Sequence, residues 1–174
     1  APVTPADLRA GHAMFGPKLW NGYGQGESPC TITAMSQSMI AKSLCERRDD
    51  RLASVGIVRT GLRIAVIDAG GQPQAPGAIG EIAVRGPTVM QGYLHRPDAT
   101  ADALVGGWLR TGDYGYFDGD GYLFTLSRKD DVIITGGENV MPEEVESALL
   151  RNSNVRDACV FGVKDSEWGE RIVA

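Results

Sequence analysis

An aspartate and an arginine carry the first chemical signal in this chain. Asp113 closes the run Leu109-Arg110-Thr111-Gly112-Asp113, and Arg128 follows fifteen positions later in Ser127-Arg128-Lys129-Asp130-Asp131. A carboxylate fixed in a tight Thr-Gly turn can accept hydrogen bonds from both hydroxyls of a ribose. A guanidinium arriving on the next strand can hold the same sugar or a phosphate. The charged Lys-Asp-Asp run then reads as a junction between two bodies. Together these residues predict a nucleotide held beside a hinge.

Other candidate motifs fail on a single residue. Gly11-His12-Ala13-Met14-Phe15-Gly16 nearly spells a phosphate loop, but Pro17 stands where the lysine is needed. Asn21-Gly22-Tyr23-Gly24-Gln25-Gly26-Glu27 lacks the third glycine of a dinucleotide fingerprint. Asp118 and Asp120 open like a calcium loop, yet Lys129 occupies the position of the bidentate glutamate, so a hairpin turn is the reading. His12 and His95 have no second ligand at metal spacing, and no Ser-His-Asp set is visible.

The elements that must position the pair are legible in outline. Thr4 caps a helix with Pro5 at its first position, placing Leu8, His12 and Phe15 on one face until Gly16-Pro17. Leu19 to Tyr23 reads as a buried strand entering a glycine-rich loop, Thr31 to Ile40 fits strand or helix, and Glu46 to Arg51 reads as a charged loop. Strands are expected over 62–68, 79–85, 108–111, 114–117 and 122–126, the last two joined by the hairpin signal Asp118-Gly119-Asp120-Gly121. Beyond Asp130, strands flank Gly136-Gly137-Glu138-Asn139. A helix then starts at Pro142 with Val145, Ala148 and Leu149 on one face and ends near Asn152, and a strand covers 158–163. The expected fold class is mixed α+β. Residues 1–129 form the end of a large domain with a small antiparallel, barrel-like sheet, and residues 130–174 open a small α+β body.

Composition excludes several classes. Hydrophobic residues make up 43% and charged residues 22%, which is globular rather than disordered. A net charge of -5 without a basic stripe argues against a nucleic-acid partner. No apolar run approaches a membrane span, so a cytoplasmic protein is expected. Cys30, Cys45 and Cys159 are odd in number and form no CxxC pair, which predicts reduced, mostly buried thiols. Trp108, Tyr93 and Leu94 read as core, and Met14, Met35, Met39 and Met90 as packing residues. The chain starts without Met and stops in the apolar Ile172-Val173, which reads as a strand cut short in a piece of a longer protein. Exposed strand edges near Leu19–Tyr23 and Ile172–Val173 would then invite self-association.

Four segments stand in order: Asn21–Glu27, Gly80-Glu81-Ile82-Ala83-Val84-Arg85-Gly86, Leu109–Asp113, and Arg128 through Gly136-Gly137-Glu138-Asn139-Val140-Met141-Pro142 to Glu146. This series resembles the adenylate-forming superfamily of acyl-CoA synthetases, peptide-synthetase adenylation domains and beetle luciferases, and most of all a fatty acyl-CoA ligase. The resemblance implies that a carboxylic acid attacks ATP to give an acyl-adenylate, and that a thiol, here CoA, then displaces AMP. It places the adenine-stacking aromatic on Tyr23 and the nucleotide loop on Gly24, Gln25 and Gly26. The Mg2+-associated glutamate falls on Glu27, the ribose-binding aspartate on Asp113, the nucleotide-contacting arginine on Arg128 and the hinge on Asp130. Gly136, Gly137 and Glu138 fall on the loop facing CoA. Gly26 departs from the usual threonine, which leaves the α-phosphate contact to a backbone N–H, Gln25 or Ser28. The family's phosphate loop and catalytic lysine have no counterpart here, so the 174-residue chain alone is expected to be inactive. A peptide-synthetase adenylation domain is the alternative within the family. A non-catalytic nucleotide-binding module, kept open by Gly26, is the alternative from another class.

Overall fold

A computed structural model describes residues 3–174. They divide into two compact units: one runs to Thr111 and includes Gly115–Thr125, the other comprises Gly112–Tyr114 and Leu126–Ala174.

In the first unit, Thr4 opens α1 (Pro5–Phe15) through a reciprocal cap. Thr4 Oγ1 accepts from the Asp7 N–H at 3.1 Å, and Asp7 Oδ2 accepts from the Thr4 N–H at 3.0 Å. Two amides that a first helical turn leaves unpaired are thereby satisfied. The Thr4 hydroxyl, then its backbone N–H, holds the Asp7 carboxyl below its ordinary range. Of the expected apolar face only Leu8 is buried; His12 is half-buried, and Phe15, the last helical residue, is exposed along with Met14.

β1 (Asn21–Gln25) and β2 (Ser28–Met35) form an antiparallel hairpin turning at Gly26-Glu27. The stretch expected as a glycine-rich loop is therefore mostly strand. Backbone pairing of Asn21, Gly22 and Tyr23 with Met35, Ala34 and Thr33 outweighs the weak strand preference of glycine. The ambiguous Thr31–Ile40 divides at Ser36, whose Oγ accepts from the Met39 N–H at 3.3 Å and caps α2 (Gln37–Cys45). The expected charged loop instead winds one turn, α3 (Asp49–Leu52), because Leu52 is drawn into the interior. Arg51 secures that turn, pairing with Asp120 at 2.5 Å and lying 4.6 Å from the Tyr122 ring centre. β3 (Ile57–Val58) completes a three-stranded sheet in the order β1-β2-β3, which leaves β1 at an edge.

A second sheet contains β4 (Arg63–Ile67), β5 (Gly80–Arg85), β6 (Leu104–Val105), β7 (Trp108–Phe117) and β8 (Leu123–Arg128), with α4 (Pro97–Ala103) leading into β6. Its order is β4-β5-β7-β6, and β8 also pairs with β7. Alternation places Val66, Ile82, Val84 and Leu123 on one face, where they join Ile32 of β2 in a common core, the barrel-like packing that the strand spacing predicts. The two strands expected on either side of Thr-Gly-Asp are one strand, β7, which continues through Gly112 at φ 72. A second cluster of Leu8, Met35, Ile40 and Leu52 lies beneath the helices.

In the second unit a single 3-10 turn (Lys129–Asp131) precedes β9 (Ile133–Thr135), β10 (Glu138–Val140), α5 (Pro142–Leu149), β11 (Phe161–Asp165) and β12 (Gly169–Val173). The sheet order is β10-β9-β12-β11. The strand expected to be cut short, Ile172-Val173, therefore belongs to a strand lying between two neighbours. The other strand, expected over 158–163, begins only at Phe161. Pro142 starts α5 as predicted, with Glu143 and Glu144 in its first turn, but Ala148 is exposed while Val145 and Leu149 are half-buried. Asp165 Oδ1 accepts from the Glu167 and Trp168 N–H groups at 2.9 and 3.1 Å, closing the β11–β12 turn and holding its carboxyl below the usual range.

Cys45 and Cys159 are free and exposed, against the expectation of buried thiols; the Cys30 side chain lies outside the described residues. Among the described residues, no helix is long and apolar enough to cross a membrane. Ile82 is fully buried at the centre of the main core. Ile82→Ala is expected to lower unfolding stability by about 3 kcal/mol through lost burial and an unfilled cavity, read as a fall in denaturant midpoint.

Candidate functional site

The expected nucleotide residues lie on three separate pieces of chain. Tyr23, Gly24 and Gln25 sit on β1, Gly26 and Glu27 form its turn, and Asp113 and Arg128 lie on β7 and β8. The first five belong to the first unit, and the last two to the second.

Tyr23 is half-buried and packs against the Ile32, Val66, Ile82, Val84 and Leu123 core, so it is a strand residue leaning on the interior rather than a loop residue. The β1–β2 register breaks between Tyr23 and Gln25, at Gly24. Gln25 Nε2 is buried and has no hydrogen-bond partner among the described residues, an unsatisfied donor beside the turn. Gly26 is exposed and is held by neither packing nor backbone angle: a Cβ built there meets nothing within 4 Å. Glu27 is more constrained than its neighbour. Its Oε1 accepts from the Tyr93 hydroxyl at 2.6 Å, and its carbonyl accepts from the Met90 N–H at 2.8 Å. Tyr93 is thus not the core residue its sequence neighbourhood suggests; it and Leu94 are exposed at 38% and 83%. Only the pairing of residues 88–93 with the turn reveals it, and no short-range sequence signal carries that information.

Asp113 and Arg128 meet. Arg128 Nε donates to Asp113 Oδ1 at 3.2 Å. The Asp113 side chain is 15% exposed and the Arg128 side chain 64%. A pair with one partner in water contributes at most about 1 kcal/mol to folding, so its consequence is placement: an anionic acceptor and a cationic donor share one spot. Asp113 lies within a continuous strand rather than in the tight turn expected from Thr-Gly-Asp. Gly112, at φ 72, absorbs the backbone irregularity that redirects the residues after it. Thr111 anchors the approach, its Oγ1 donating to the Ile82 carbonyl at 2.7 Å.

Asp130 is exposed within the 3-10 turn. Gly136 and Gly137 form the β9–β10 turn at φ 58 and 86, with Glu138 exposed just beyond. Trp168, not singled out by sequence, covers this turn: its carbonyl accepts from the Gly136 N–H at 2.9 Å, and a Cβ at Gly136 would stand 3.0 Å from its ring.

The second unit also holds a cleft of about 470 Å3 lined by Asp130, Asp131, Glu143, Glu146, Cys159 and Glu170, among others. Glu143 Oε2 is buried without a hydrogen-bond partner among the described residues. Burial first, then the negative charges of Glu146 and Asp131, raise the Glu143 carboxyl above its ordinary value. Among the described residues no group of three or more His, Cys, Asp or Glu is gathered as a metal site.

The AMP-binding enzyme family matches residues 1–94, and the AMP-binding enzyme C-terminal domain matches residues 144–174. Medium/long-chain-fatty-acid–CoA ligase FadD8 of Mycobacterium tuberculosis is 37% identical over 172 residues, covering 99% of this chain and 29% of that protein. 2-Succinylbenzoate–CoA ligase of Geobacillus sp. is 54% identical over 104 residues, covering 60% of this chain and 21% of that protein. The o-succinylbenzoate CoA synthetase of Bacillus subtilis, solved with its acyl-adenylate intermediate, superposes with a TM-score of 0.83 at 35% identity, covering 99% of this chain and 33% of that one. The chain therefore spans about a third or less of the length of each of these three relatives.

A carboxyl raised in the folded state binds its proton more readily than in the unfolded chain. Its contribution is present below the ordinary carboxylate value and is lost as pH rises through the raised one. Glu143→Gln is accordingly expected to raise the thermal midpoint at pH 7 and to leave it nearly unchanged at pH 4, as followed by calorimetry across that range.

Proposed function

The chain belongs to the AMP-binding enzyme family, and from that premise we propose that its protein is an acid–CoA ligase. A carboxylate oxygen of the acid attacks the α-phosphorus of ATP, and the bond to pyrophosphate breaks. The CoA thiol then attacks the acyl carbon, and AMP leaves with the electrons of the acyl–oxygen bond. The observation that carries this reading is the Asp113–Arg128 pair at 3.2 Å. A largely covered carboxylate accepts the ribose hydroxyls, and the exposed guanidinium beside it donates to the sugar or phosphate.

The other residues take roles their chemistry supports. Tyr23 offers a ring to adenine, the buried amide of Gln25 is an unsatisfied donor for a phosphate oxygen, and backbone N–H groups at Gly24 and Gly26 supply more. The donor set fits magnesium: Glu27 gives one hard carboxylate oxygen, and nucleotide phosphates complete the shell in the usual manner for this ion. Bound there, the cation would offset phosphate charge. Asp130 is the pivot between a body ending at Lys129 and a small C-terminal one beginning at Asp130. Its exposed, charged 3-10 turn suits a backbone that must change angle. Gly136, Gly137 and Glu138 border the path of the CoA arm. Since ATP and CoA are the co-substrates, a cytoplasmic setting fits.

A fatty acid is the first reading for the acid, as named for FadD8. The 54% identity to a 2-succinylbenzoate–CoA ligase favours an aromatic dicarboxylate as the second. Acid-dependent pyrophosphate exchange by the full-length protein with both acids decides between them, and exchange with neither would leave a different acid, as for a peptide-synthetase adenylation domain, or the non-catalytic nucleotide module.

Asp113→Ala is expected to weaken AMP binding by roughly tenfold to a hundredfold with little change in thermal midpoint. Calorimetric titration of the full-length protein measures this, and unaltered affinity would remove the ribose role. Gly26→Thr has room for its side chain. It is expected to leave folding intact and to raise the adenylation rate severalfold by restoring a phosphate-facing hydroxyl; a slower enzyme would show that the backbone or Gln25 already fills that place.

A further inference from the structure

Residues 88–93 are fastened to the β1–β2 turn at three points. Ser28 Oγ and Thr88 Oγ1 stand 3.0 Å apart, the Met90 N–H donates to the Glu27 carbonyl at 2.8 Å, and the Tyr93 hydroxyl donates to Glu27 Oε1 at 2.6 Å. Tyr93 is itself held from the other side. Its N–H donates to Thr100 Oγ1 at 2.9 Å, and that hydroxyl donates to the Arg96 carbonyl at 2.8 Å. The intervening Gly92 passes so close to α4 that a Cβ there would lie 2.7 Å from Thr100 Cγ2.

A glutamate in a surface turn samples many rotamers, and holding one has an entropic cost. A short phenol–carboxylate bond from an anchored tyrosine selects one orientation before any ligand arrives. The contact is solvent-exposed, so it adds little to folding; its effect is on where the carboxylate points. Among the described residues no hydrogen bond or ion pair engages Oε2.

We propose that Tyr93 is a positioning residue for a cation-binding carboxylate: its hydroxyl fixes Glu27 Oε1, so that Oε2 is the oxygen presented to a divalent cation. The proposal rests on the reading of Glu27 as the metal-associated residue. Thr88, Met90 and Thr100 support it by holding the strap and the turn in one arrangement.

The test uses the full-length protein, with Mn2+ as the probe. Binding is followed by electron paramagnetic resonance in the presence of a non-hydrolysable ATP analogue, alongside the Mg2+ dependence of pyrophosphate release. Tyr93→Phe keeps the ring and removes the hydroxyl. It is expected to weaken Mn2+ binding about tenfold and to raise the Mg2+ half-saturation by a similar factor, with kcat recovering at saturating metal. Glu27→Gln should weaken binding at least as much, and the double variant should match Glu27→Gln alone. Thr100→Val, which loosens the anchor without touching the phenol, should give a smaller loss in the same direction and decides the matter if Tyr93→Phe does not fold. Full metal affinity in Tyr93→Phe beside a loss in Glu27→Gln overturns the role of Tyr93, as do additive losses in the double variant. Full affinity in Glu27→Gln overturns the reading of Glu27 itself.

Discussion

The pairing of β7 with β8 is the constraint on which the candidate site depends. Asp113 stands five residues before Asp118, and Arg128 six residues after Tyr122, where the turn closes. The turn is locked from within. The Asp118 N–H donates to the Tyr122 carbonyl at 3.0 Å, and Asp118 Oδ1 accepts from the Asp120 and Tyr122 N–H groups at 2.9 and 2.8 Å. Stacking of Tyr116 on Phe124, with ring centres 4.9 Å apart, holds the arms in register. Once that register is set, residues 113 and 128 become neighbours, and a slip of one position would send one of them to the opposite face.

Stability and chemistry draw on different contacts here. The Ile32, Val66, Ile82, Val84 and Leu123 cluster excludes water and holds the two sheets of the first unit together. The polar contacts around Glu27 and between Asp113 and Arg128 are exposed on at least one side, where charge pairs add little to folding. They determine which way a carboxylate faces. This division explains why the turn tolerates Gly26: no neighbouring atom depends on what stands there. The second unit shows the same economy. Its exposed Gly136-Gly137 turn is shaped by left-handed backbone angles and by Trp168 lying over it, not by burial of its own side chains.

Elements governed by short-range rules were legible in the residues themselves. The Thr4 cap of α1, the Asp118–Gly121 hairpin, the Gly136-Gly137 turn and the start of α5 at Pro142 each need only a few neighbouring groups to form. Expectations failed where a distant partner decided the outcome. Gly24 and Gln25 read as loop until the pairing of Tyr23 and Gln25 with β2, on either side of the register break, carries the strand through them. Residues 49–52 read as a solvated loop until Leu52 finds the interior and Arg51 finds Asp120 and Tyr122. Thr-Gly-Asp reads as a turn until pairing on both sides of β7 carries the strand through it.

From the sequence alone came the order of the motifs, the types of group able to hold a nucleotide, the family resemblance and the mixed α+β class, because these follow from residue identity and spacing. Tertiary structure decided that Asp113 and Arg128 touch, that Tyr93 leaves the core to hold Glu27, and that Trp168 covers the glycine turn. Those contacts join residues 15, 66 and 32 positions apart. Their formation depends on sheet order and on loop paths, and neither is encoded in the local preferences of the residues that meet.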